Sequence, residues 1–423
     1  MVIVGAGFAG LAAARALASE AVNVVLVDRS NHHTFMPLLY QVATAGLNAA
    51  DIAHPVRAIL RSQKNLAFRC AAVTAVDWTA RRVLLSAGQS LPFDHLILAA
   101  GAAATFLGIP GATDHAFSLS NLSDAVALRN HVLARFEAAD ADAEGKTIED
   151  GALTFVLAGG GPTGVETAGA LAELFAMVLR KDFPRLDVDS ARVVLVEATD
   201  RLLPSFRARS GRHALKVLRS LGVEVRLNET VAEASRQAVR LGSGEVLPAH
   251  TLVWTAGVAA SPLAGLLGVE CGRAGRIVVA PDLSVPGRQD VYAVGDVAAI
   301  GDGRSLPQLA PVAIQSGRHA GRQVARRVRG ETTRTFRYRD RGTMATIGRR
   351  AAVAELPLRL TLTGTPAWLA WLTLHLVTLV GFRNRASVFL NWAWNYLTWD
   401  RGPRLIFPPR PLAADPGREP APR

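Results

Sequence analysis

A glycine-rich turn that joins a buried strand to a helix occurs twice in this chain of 423 residues. The first copy is Gly5-Ala6-Gly7-Phe8-Ala9-Gly10, after the apolar run Val2–Val4, and the second is Gly159-Gly160-Gly161-Pro162-Thr163-Gly164, after Leu153–Ala158. In such a turn the first glycine permits a tight bend, the second lets the backbone approach a pyrophosphate, and the third lets helix and strand pack closely. The repeat predicts two dinucleotide-binding units, and a purely structural glycine turn is the alternative at each.

An acidic residue ends the strand that follows each turn. Asp28 comes eighteen residues after Gly10, and Glu197 comes later after its own loop, because Phe183–Ala191 forms an extra stretch before the strand. A carboxylate at this position accepts hydrogen bonds from ribose hydroxyls and repels a 2′-phosphate. The second site is therefore expected to prefer NADH over NADPH, although Arg201 nearby weakens that preference.

The order of elements predicts an α/β fold with two Rossmann-like domains and a C-terminal helical region at a membrane interface. Leu96–Gly101 and Leu252–Gly257 are expected to be buried strands that run into turns, and the acidic stretch Glu137–Asp150 an exposed connection. The predicted domains are a first dinucleotide domain from residues 1–117 and 261–330, a second from 118–260, a membrane-association region from 331–407, and a disordered tail from 408–423.

Positive charge is concentrated in one part of the chain, which carries +12 overall. Between Arg318 and Arg350 there are eleven arginines against two acids, Glu331 and Asp340. Nucleic-acid binders usually combine such charge with exposed aromatic residues or a recognition helix, and neither is found here. We expect no nucleic-acid partner and favour an anionic lipid surface over a merely solvated face.

The cysteine content argues against a disulfide framework or a thiol redox site. Cys70 and Cys271 lie far apart in the sequence, and no Cys-x-x-Cys motif occurs. This pattern is typical of a reducing compartment. No secretion signal is expected either, since the first strand begins at Met1.

The C-terminal arm is unusually rich in tryptophan, with five of the seven tryptophans between Trp368 and Trp399. Pro366–Phe382 lacks formal charge, but a helix of that length spans only ~25 Å, less than a ~30 Å hydrocarbon core. The next segment places a polar stripe on an otherwise apolar helix, at Ser387, Asn391, Asn395 and Thr398. We favour an interfacial membrane anchor over a core or dimerisation helix, and a packing or interface role over ligation for His375.

Several segments together resemble the type II, non-proton-pumping NADH:quinone oxidoreductases, which are two-dinucleotide flavoproteins related to glutathione reductase. The resemblance runs from Val2 to about Phe407 and is carried by Phe35–Thr44, Phe106–Gly111, Gly159–Glu166, Trp254–Val258 and Val291–Asp296. It implies FAD and NADH as cofactors, a membrane quinone as electron acceptor, and a peripheral position on the cytoplasmic face of the cell inner membrane. A homodimer is left open.

The resemblance also assigns cofactor-binding residues. The first loop with Asp28 and Asp296 is implied to hold FAD, with helix N-capping as an alternative or additional role for Asp296. The second loop with Glu197 is implied to hold NADH. Further contacts with the cofactors are implied for Thr44, Gly101 and Gly257.

Two residues are implied to act in the reaction. Glu166 matches a family position near the contact of nicotinamide and flavin, where it would bind or orient NADH; its alternative is a carboxylate bonded to free helix-end N–H groups. Gln315 matches the second glutamine of the family's quinone-site stretch, whereas the first glutamine is replaced by Pro311.

Three rival functions stay open at this stage. A disulfide reductase or sulfide:quinone oxidoreductase would need both cysteines beside the flavin. A soluble reductase serving an iron–sulfur protein would have no use for the tryptophan-rich arm. A nucleotide-sensing protein would bind both cofactors without turnover.

Overall fold

The computed structural model describes residues 1–86, 88–142, 144–301, 305–357, 360–398 and 400–407. The predicted disordered tail at 408–423 lies outside these residues. Two sheets with helices on their faces, one parallel and one parallel except for an antiparallel edge strand, form the described core, so the predicted pair of Rossmann-like domains is confirmed.

The first domain is built on a six-stranded sheet whose central strands are short and wholly buried. Val2–Val4 pairs in parallel with Leu96–Leu98 on one side and with Val24–Asp28 on the other. Such continuous apolar strands are typical of a parallel sheet covered on both faces. From edge to edge the strands are Ser284–Val285, Arg288–Ala293, Leu96–Leu98, Val2–Val4, Val24–Asp28 and Leu66–Cys70.

Around this sheet lie helices and several small sheets. The helices are Phe8–Ala16, Leu39–Ala43, Ala49–Ile52, Val56–Leu60, Leu263–Leu266 and Ala310–Val328, with 3₁₀ turns at Met36–Leu38, Arg273–Gly275 and Gly295–Val297. The smaller sheets pair His32–Thr34 with Ala53–Pro55, join Val73–Asp77, Arg82–Leu85 and Ser90–Pro92, and pair Ile277–Val278 with Ala298–Ala299.

The second domain has a five-stranded parallel sheet in the order Ala116–Ser118, Thr251–Trp254, Thr154–Ala158, Arg192–Glu197 and Glu224–Leu227. Its first strand straddles residue 117, so the second domain begins slightly before the predicted boundary. Its helices are Ala112–His115, Leu122–Ala141, Lys146–Glu149, Pro162–Leu174, Arg180–Asp182 and Ala208–Ser220, with a π-helical turn at Phe175–Leu179 and a 3₁₀ turn at Val188–Ser190. An antiparallel sheet of Val231–Ala234, Ala238–Leu241 and Val246–Pro248 completes it.

The prediction of an exposed connection over Glu137–Asp150 was wrong in its first part. The helix Leu122–Ala141 continues through five of those residues. It continues because Leu133, Phe136 and Ala139 recur at helical spacing and are buried on one face, which outweighs the acidic composition of the other.

The sequence predicted a helical C-terminal region, but this region also contains a small sheet. Three antiparallel strands, Thr343–Gly348, Ala351–Glu355 and Thr361–Thr363, precede the helices Thr365–Thr378 and Phe382–Thr398. The uncharged stretch Pro366–Phe382 is therefore not one helix, because the chain breaks at Leu379–Gly381 and Phe382 opens the next helix. No helix in the described part of the chain combines the length and apolarity needed to cross a membrane.

Most of the polar stripe of the last helix faces the protein, but Thr398 at its end is exposed and donates to the Trp394 carbonyl of the same helix. Asn384 donates to the carbonyls of Ala50, Asp51 and Ala53, while Ser387 and Asn391 donate to the Asp51 carboxylate at 2.7 and 3.0 Å. The exposed side carries large apolar residues, namely Phe382, Phe389, Leu390, Trp394 and Leu397, together with Arg383 and Arg385 in its first turn. This helix is thus amphipathic in the inverted sense, with its polar face docked and its apolar face outward.

Candidate active site

The first glycine loop has the geometry that a dinucleotide-binding turn needs. Gly5 has a φ of +101°, which favours glycine, and a side chain at Gly10 would meet the Gly5 carbonyl oxygen at 1.8 Å. A side chain at Gly7 would meet nothing within 4 Å. Gly5 therefore permits the bend, Gly7 leaves the backbone open to a ligand, and Gly10 allows close packing, as the sequence predicted.

The second loop repeats this geometry. Gly159 has a φ of +106°, a side chain at Gly164 would meet the Gly159 carbonyl oxygen at 1.9 Å, and the position at Gly161 is open. Pro162 begins the helix Pro162–Leu174, where its missing N–H has no intrahelical partner to lose.

Each predicted acidic partner lies beside its own loop. Asp28 accepts from the backbone N–H of Ala6 at 2.6 Å and of Ser30 at 2.7 Å. A carboxylate has about four acceptor positions, so these bonds orient Asp28 and leave capacity for ribose hydroxyls.

Glu197 is held in the same way and more tightly. Its carboxylate accepts from the Gly160 N–H at 2.6 Å and from the N–H and hydroxyl of Thr199 at 2.8 and 2.7 Å. The side chain is buried. Arg201, which weakened the expected NADH preference, is exposed and donates to the Pro204 carbonyl.

Gly101 and Gly257 each follow a strand that ends beside one of the loops. A side chain at Gly5 would meet the Ala99 carbonyl oxygen at 2.2 Å, and one at Gly159 would meet the backbone nitrogen of Ala256 at 2.8 Å. Both glycines have positive φ, +71° and +90°. The segments that follow them, Ala102–Ala104 and Val258–Ala260, pair antiparallel and so tie the two domains together.

Asp296 lies inside the 3₁₀ turn Gly295–Val297, and the next long helix begins only at Ala310 after Leu309. The alternative of a helix N-cap was therefore wrong. Its Oδ1 is buried without a hydrogen-bond partner among the described residues. Burial raises the pKa of Asp296, and the Arg276 guanidinium opposes that rise.

Glu166 projects from the helix Pro162–Leu174 into a cleft between the two domains and the C-terminal sheet. Its Oε1 accepts from the Thr346 N–H at 3.2 Å, and the Trp371 side chain also donates to the carboxylate. The alternative of bonding to free helix-end N–H groups was therefore wrong. Burial raises the pKa of Glu166 to about 8, against the lowering effect of these two hydrogen bonds.

The cleft contains several residues that the sequence analysis missed. Its other polar and aromatic lining residues are Tyr40, Gln41, Glu173, Arg349, Trp392, Asn395, Tyr396 and Arg401. Glu173 pairs with Arg401 at 3.5 Å and lies seven residues after Glu166, on the same face of one helix. That spacing was the signal available for Glu173, whereas Arg401 and Tyr396 reach the cleft only through the tertiary fold.

Thr44 also lines this cleft, but its polar groups are engaged. The hydroxyl donates to the Tyr40 carbonyl at 3.0 Å, and the Thr44 carbonyl accepts from Arg401 at 2.9 Å. Arg401 reaches the Ala170 carbonyl as well, at 3.1 Å, so it joins a loop of the first domain to a helix of the second.

Gln315 is not among the residues that line the cleft. Its amide donates to the carbonyl of Arg339 at 2.9 Å and accepts from the N–H of the same residue at 3.0 Å. The amide thereby holds the segment after the helix Ala310–Val328, and its action on a quinone stays a prediction.

His375 and the two cysteines contact protein groups and are not among the residues that line the cleft. The His375 ring stacks on Trp371 with centroids 4.0 Å apart, which confirms the predicted packing role. Cys70 and Cys271 are free and exposed, and their sulfurs lie near different backbone carbonyls, of Arg29 and of Val269.

Comparison with known proteins agrees with this geometry. Residues 1–317 match the pyridine nucleotide-disulphide oxidoreductase family, and residues 341–399 match the NDH2 C-terminal domain. The type II NADH:quinone oxidoreductase Ndh of Mycobacterium tuberculosis is 37% identical over 421 residues, covering 96% of this chain and 90% of that protein. The chain belongs to the type II NADH:quinone oxidoreductase family.

Solved structures support the same family fold. The NDH2 of Plasmodium falciparum in complex with NADH superposes with a TM-score of 0.85 at 18% identity, covering 96% of this chain and 99% of that one. The sulfide:quinone oxidoreductase of Aquifex aeolicus gives a TM-score of 0.70 at 16% identity, covering 93% and 94%. The latter shares the fold only.

The cofactors of this family are FAD and NADH, and the residues present fit them. The open positions at Gly7 and Gly161 admit a pyrophosphate against each backbone, at the N-terminus of a helix. The unpartnered Oδ1 of Asp296 matches a ligand that carries hydroxyl donors, as the ribitol of FAD does.

Proposed function

We propose that this chain oxidises NADH and reduces a membrane quinone whose headgroup binds in the Glu166 cleft. Bound FAD supplies the redox chemistry of both half-reactions, by accepting hydride from NADH and giving two electrons to the quinone. The observation that carries the proposal is the cleft itself, which joins aromatic walls to neutral hydrogen-bond donors.

The walls suit a flat, neutral molecule with carbonyl oxygens. Tyr40, Trp392 and Tyr396 contribute aromatic surface. The Tyr40 hydroxyl accepts from Gln41 at 2.9 Å, so its own proton is available to an acceptor in the cleft. Burial raises the pKa of Tyr40 well above its usual value, so the hydroxyl stays a donor at neutral pH.

Glu166 supplies the proton that the reaction consumes. The overall reaction is NADH + H⁺ + quinone → NAD⁺ + quinol, so one proton comes from outside NADH. Because the pKa of Glu166 is about 8, its carboxyl holds a proton at pH 7 and can pass it to a reduced quinone oxygen. Glu173 lines the same cleft and pairs with Arg401 at 3.5 Å, and burial raises the pKa of Glu173 as well.

The two half-reactions test the location of the quinone. Ala170 lines the cleft one helical turn after Glu166, so Ala170→Leu fills part of the space without altering either glycine loop. Stopped-flow mixing with NADH should give unchanged flavin reduction, whereas reoxidation by a short-chain quinone should slow by about tenfold. The control is Ala208→Leu, an exposed position on another helix. Equal rates of reoxidation in both variants would place the quinone elsewhere.

We also propose that the apolar faces of the last two helices rest on the membrane. Leu397 and Phe382 are 82% and 86% exposed, and Leu369, Leu374 and Val377 are exposed on the preceding helix. Large exposed apolar side chains concentrated on two consecutive helices are typical of an interaction site. The inverted polarity of the helix Phe382–Thr398 supports lipid as the partner, because its polar stripe is already used in docking.

Vesicle binding tests the membrane proposal. Leu390→Glu combined with Leu397→Glu should release the protein from phosphatidylglycerol-containing vesicles in a flotation assay, with flavin content unchanged. Leu266→Glu is the control, since Leu266 on another helix is 66% exposed, close to the 65% of Leu390. If the double variant floats as the control does, this face is not the lipid contact. Binding to vesicles of neutral lipid, compared with binding to the anionic vesicles, measures how much the arginines between 318 and 350 contribute to the affinity for lipid.

A sulfur-handling activity is disfavoured by the surroundings of the cysteines. A thiol relay needs two sulfurs within bonding reach beside the flavin, and Cys70 and Cys271 contact different backbone segments. Replacing both with serine is expected to leave quinone reduction intact.

A further inference from the structure

Arg276 is a buried arginine with unused donors. It is 7% exposed and directly precedes the strand Ile277–Val278. Its Nη1 donates to the Leu306 carbonyl at 3.0 Å, but Nε and Nη2 are buried without a partner among the described residues. Unsatisfied donors of a buried guanidinium are costly, so a bound group that accepts from them is expected.

Asp296 has the complementary deficiency close by. Its buried Oδ1 also lacks a partner, and the Arg276 guanidinium is near enough to oppose the rise in its pKa. The two side chains form no ion pair within 4 Å in the described structure. A group that accepts on one side and donates on the other would satisfy both.

The location points to the cofactor of the first loop. A side chain on Gly295, beside Asp296, would meet the Cβ of Ala9 at 3.0 Å, so the Asp296 turn packs against the first glycine-loop helix. The strands Ile277–Val278 and Ala298–Ala299 pair in parallel and hold Arg276 near the same turn.

We propose that Arg276 is an FAD ligand whose Nε and Nη2 donate to the phosphate oxygens at the ribitol end of the pyrophosphate, while Asp296 accepts from ribitol hydroxyls. FAD brings two negative charges to a site that already contains the carboxylates of Asp28 and Asp296. Backbone N–H groups of the glycine loop carry no net charge, so a buried cation is needed to offset these anions. The proposal concerns the resident flavin and is independent of where the quinone binds.

The rate of FAD release from the purified holoenzyme tests the proposal. Arg276→Met keeps the length of the side chain and removes its donors, and it should release FAD at least about tenfold faster than the unaltered protein, measured by the rise in flavin fluorescence. Arg273→Met is the matched control, because Arg273 is exposed in the preceding turn, and it should release FAD at the unaltered rate. An unchanged release rate in Arg276→Met overturns the proposal.

Combining Arg276→Met with Asp296→Asn tests whether Arg276 contacts FAD directly or only holds Asp296 in place. If Arg276 contacts FAD itself, Arg276→Met accelerates release in Asp296→Asn as well. If the effect vanishes in Asp296→Asn, Arg276 acts only through that carboxylate and the proposal fails. Should Arg276→Met not fold, Arg276→Lys carries the test: it retains charge but lacks the planar fork, and its release of FAD is expected to be faster than normal. Normal release from Arg276→Lys would then count against the fork-shaped contact.

Discussion

The two glycine-loop helices begin alike and are covered by different parts of the molecule. The first, Phe8–Ala16, packs against Ala310–Val328 of its own domain, where a side chain at Gly317 would lie 2.0 Å from the Ala9 carbonyl oxygen. The second, Pro162–Leu174, packs against the C-terminal strand Thr343–Gly348, where a side chain at Gly169 would lie 1.7 Å from the Ile347 carbonyl oxygen.

This difference agrees with the roles that we propose for the two dinucleotides. The first loop, which we propose holds the permanently bound FAD, opens a helix that packs within its own domain. The second helix also packs against the C-terminal sheet, and the face that carries the buried side chains of Glu166 and Glu173 forms a wall of the cleft. In the proposed function, the same local motif serves to hold the permanently bound cofactor in one domain and to form part of the reaction site in the other.

The largest effect should come from filling the two close contacts. Gly317→Val forces the helices of the first domain apart, and we expect loss of FAD and destabilisation by about 3 kcal/mol or more. Gly169→Val should separate the C-terminal sheet from the second domain, with FAD retained and quinone reduction lost. Flavin content per chain and thermal melting measure both. Gly265→Val, at an open position, is the control; equal loss of FAD from Gly317→Val and Gly169→Val would abolish the distinction.

The next effect concerns Arg401, which joins the two regions. Arg401→Met breaks a largely buried ion pair with Glu173 and two hydrogen bonds to backbone carbonyls, so the free energy of unfolding should fall by about 3 kcal/mol. Denaturant melts of the holoenzyme measure the change. The exposed Arg350 provides a control as Arg350→Met. If neither variant shifts the denaturation midpoint, the contacts of Arg401 contribute nothing to the free energy of unfolding.

A pH profile tests the proton held by Glu166. Because the pKa of this carboxyl is raised to about 8, the protonated form is present at pH 7 and is lost as the pH rises through 8. Quinone-dependent flavin reoxidation should therefore fall above pH 8. Glu166→Gln should lower the rate at pH 7 by about 10²-fold and remove this step from the profile. If the step persists in Glu166→Gln, or appears in flavin reduction by NADH instead, another group supplies the proton.

The smallest effect should come from the acid of the second loop. Glu197→Gln keeps the size of the side chain but loses the charge that orders Gly160 and Thr199, so KM for NADH should rise by about tenfold. NADPH should become relatively better, because the repulsion of its 2′-phosphate is reduced. Steady-state kinetics with both nucleotides give the ratio. Flavin content is the internal control, and a loss of FAD would contradict separate roles for the two loops.

Local patterns predicted much of the fold. The spacing of Gly5, Gly7 and Gly10 from Asp28 depends on contacts within one strand–turn–helix–strand unit, so the sequence carries the full constraint. The same holds for the second loop. Glu137–Asp150 was misread because composition was given more weight than the helical spacing of Phe136 and its buried neighbours.

The sequence by itself therefore determined two dinucleotide loops, their acidic partners and an apolar tryptophan-rich arm. Only the tertiary structure decided that the polar stripe of that arm faces inward, since Asp51, its partner, precedes Ser387 by 336 residues. The same is true of the pairing of Arg401 with Glu173 and of the neighbourhood of Arg276 and Asp296. These contacts join segments far apart in the chain, and no local periodicity specifies which distant groups a fold will bring within hydrogen-bond reach.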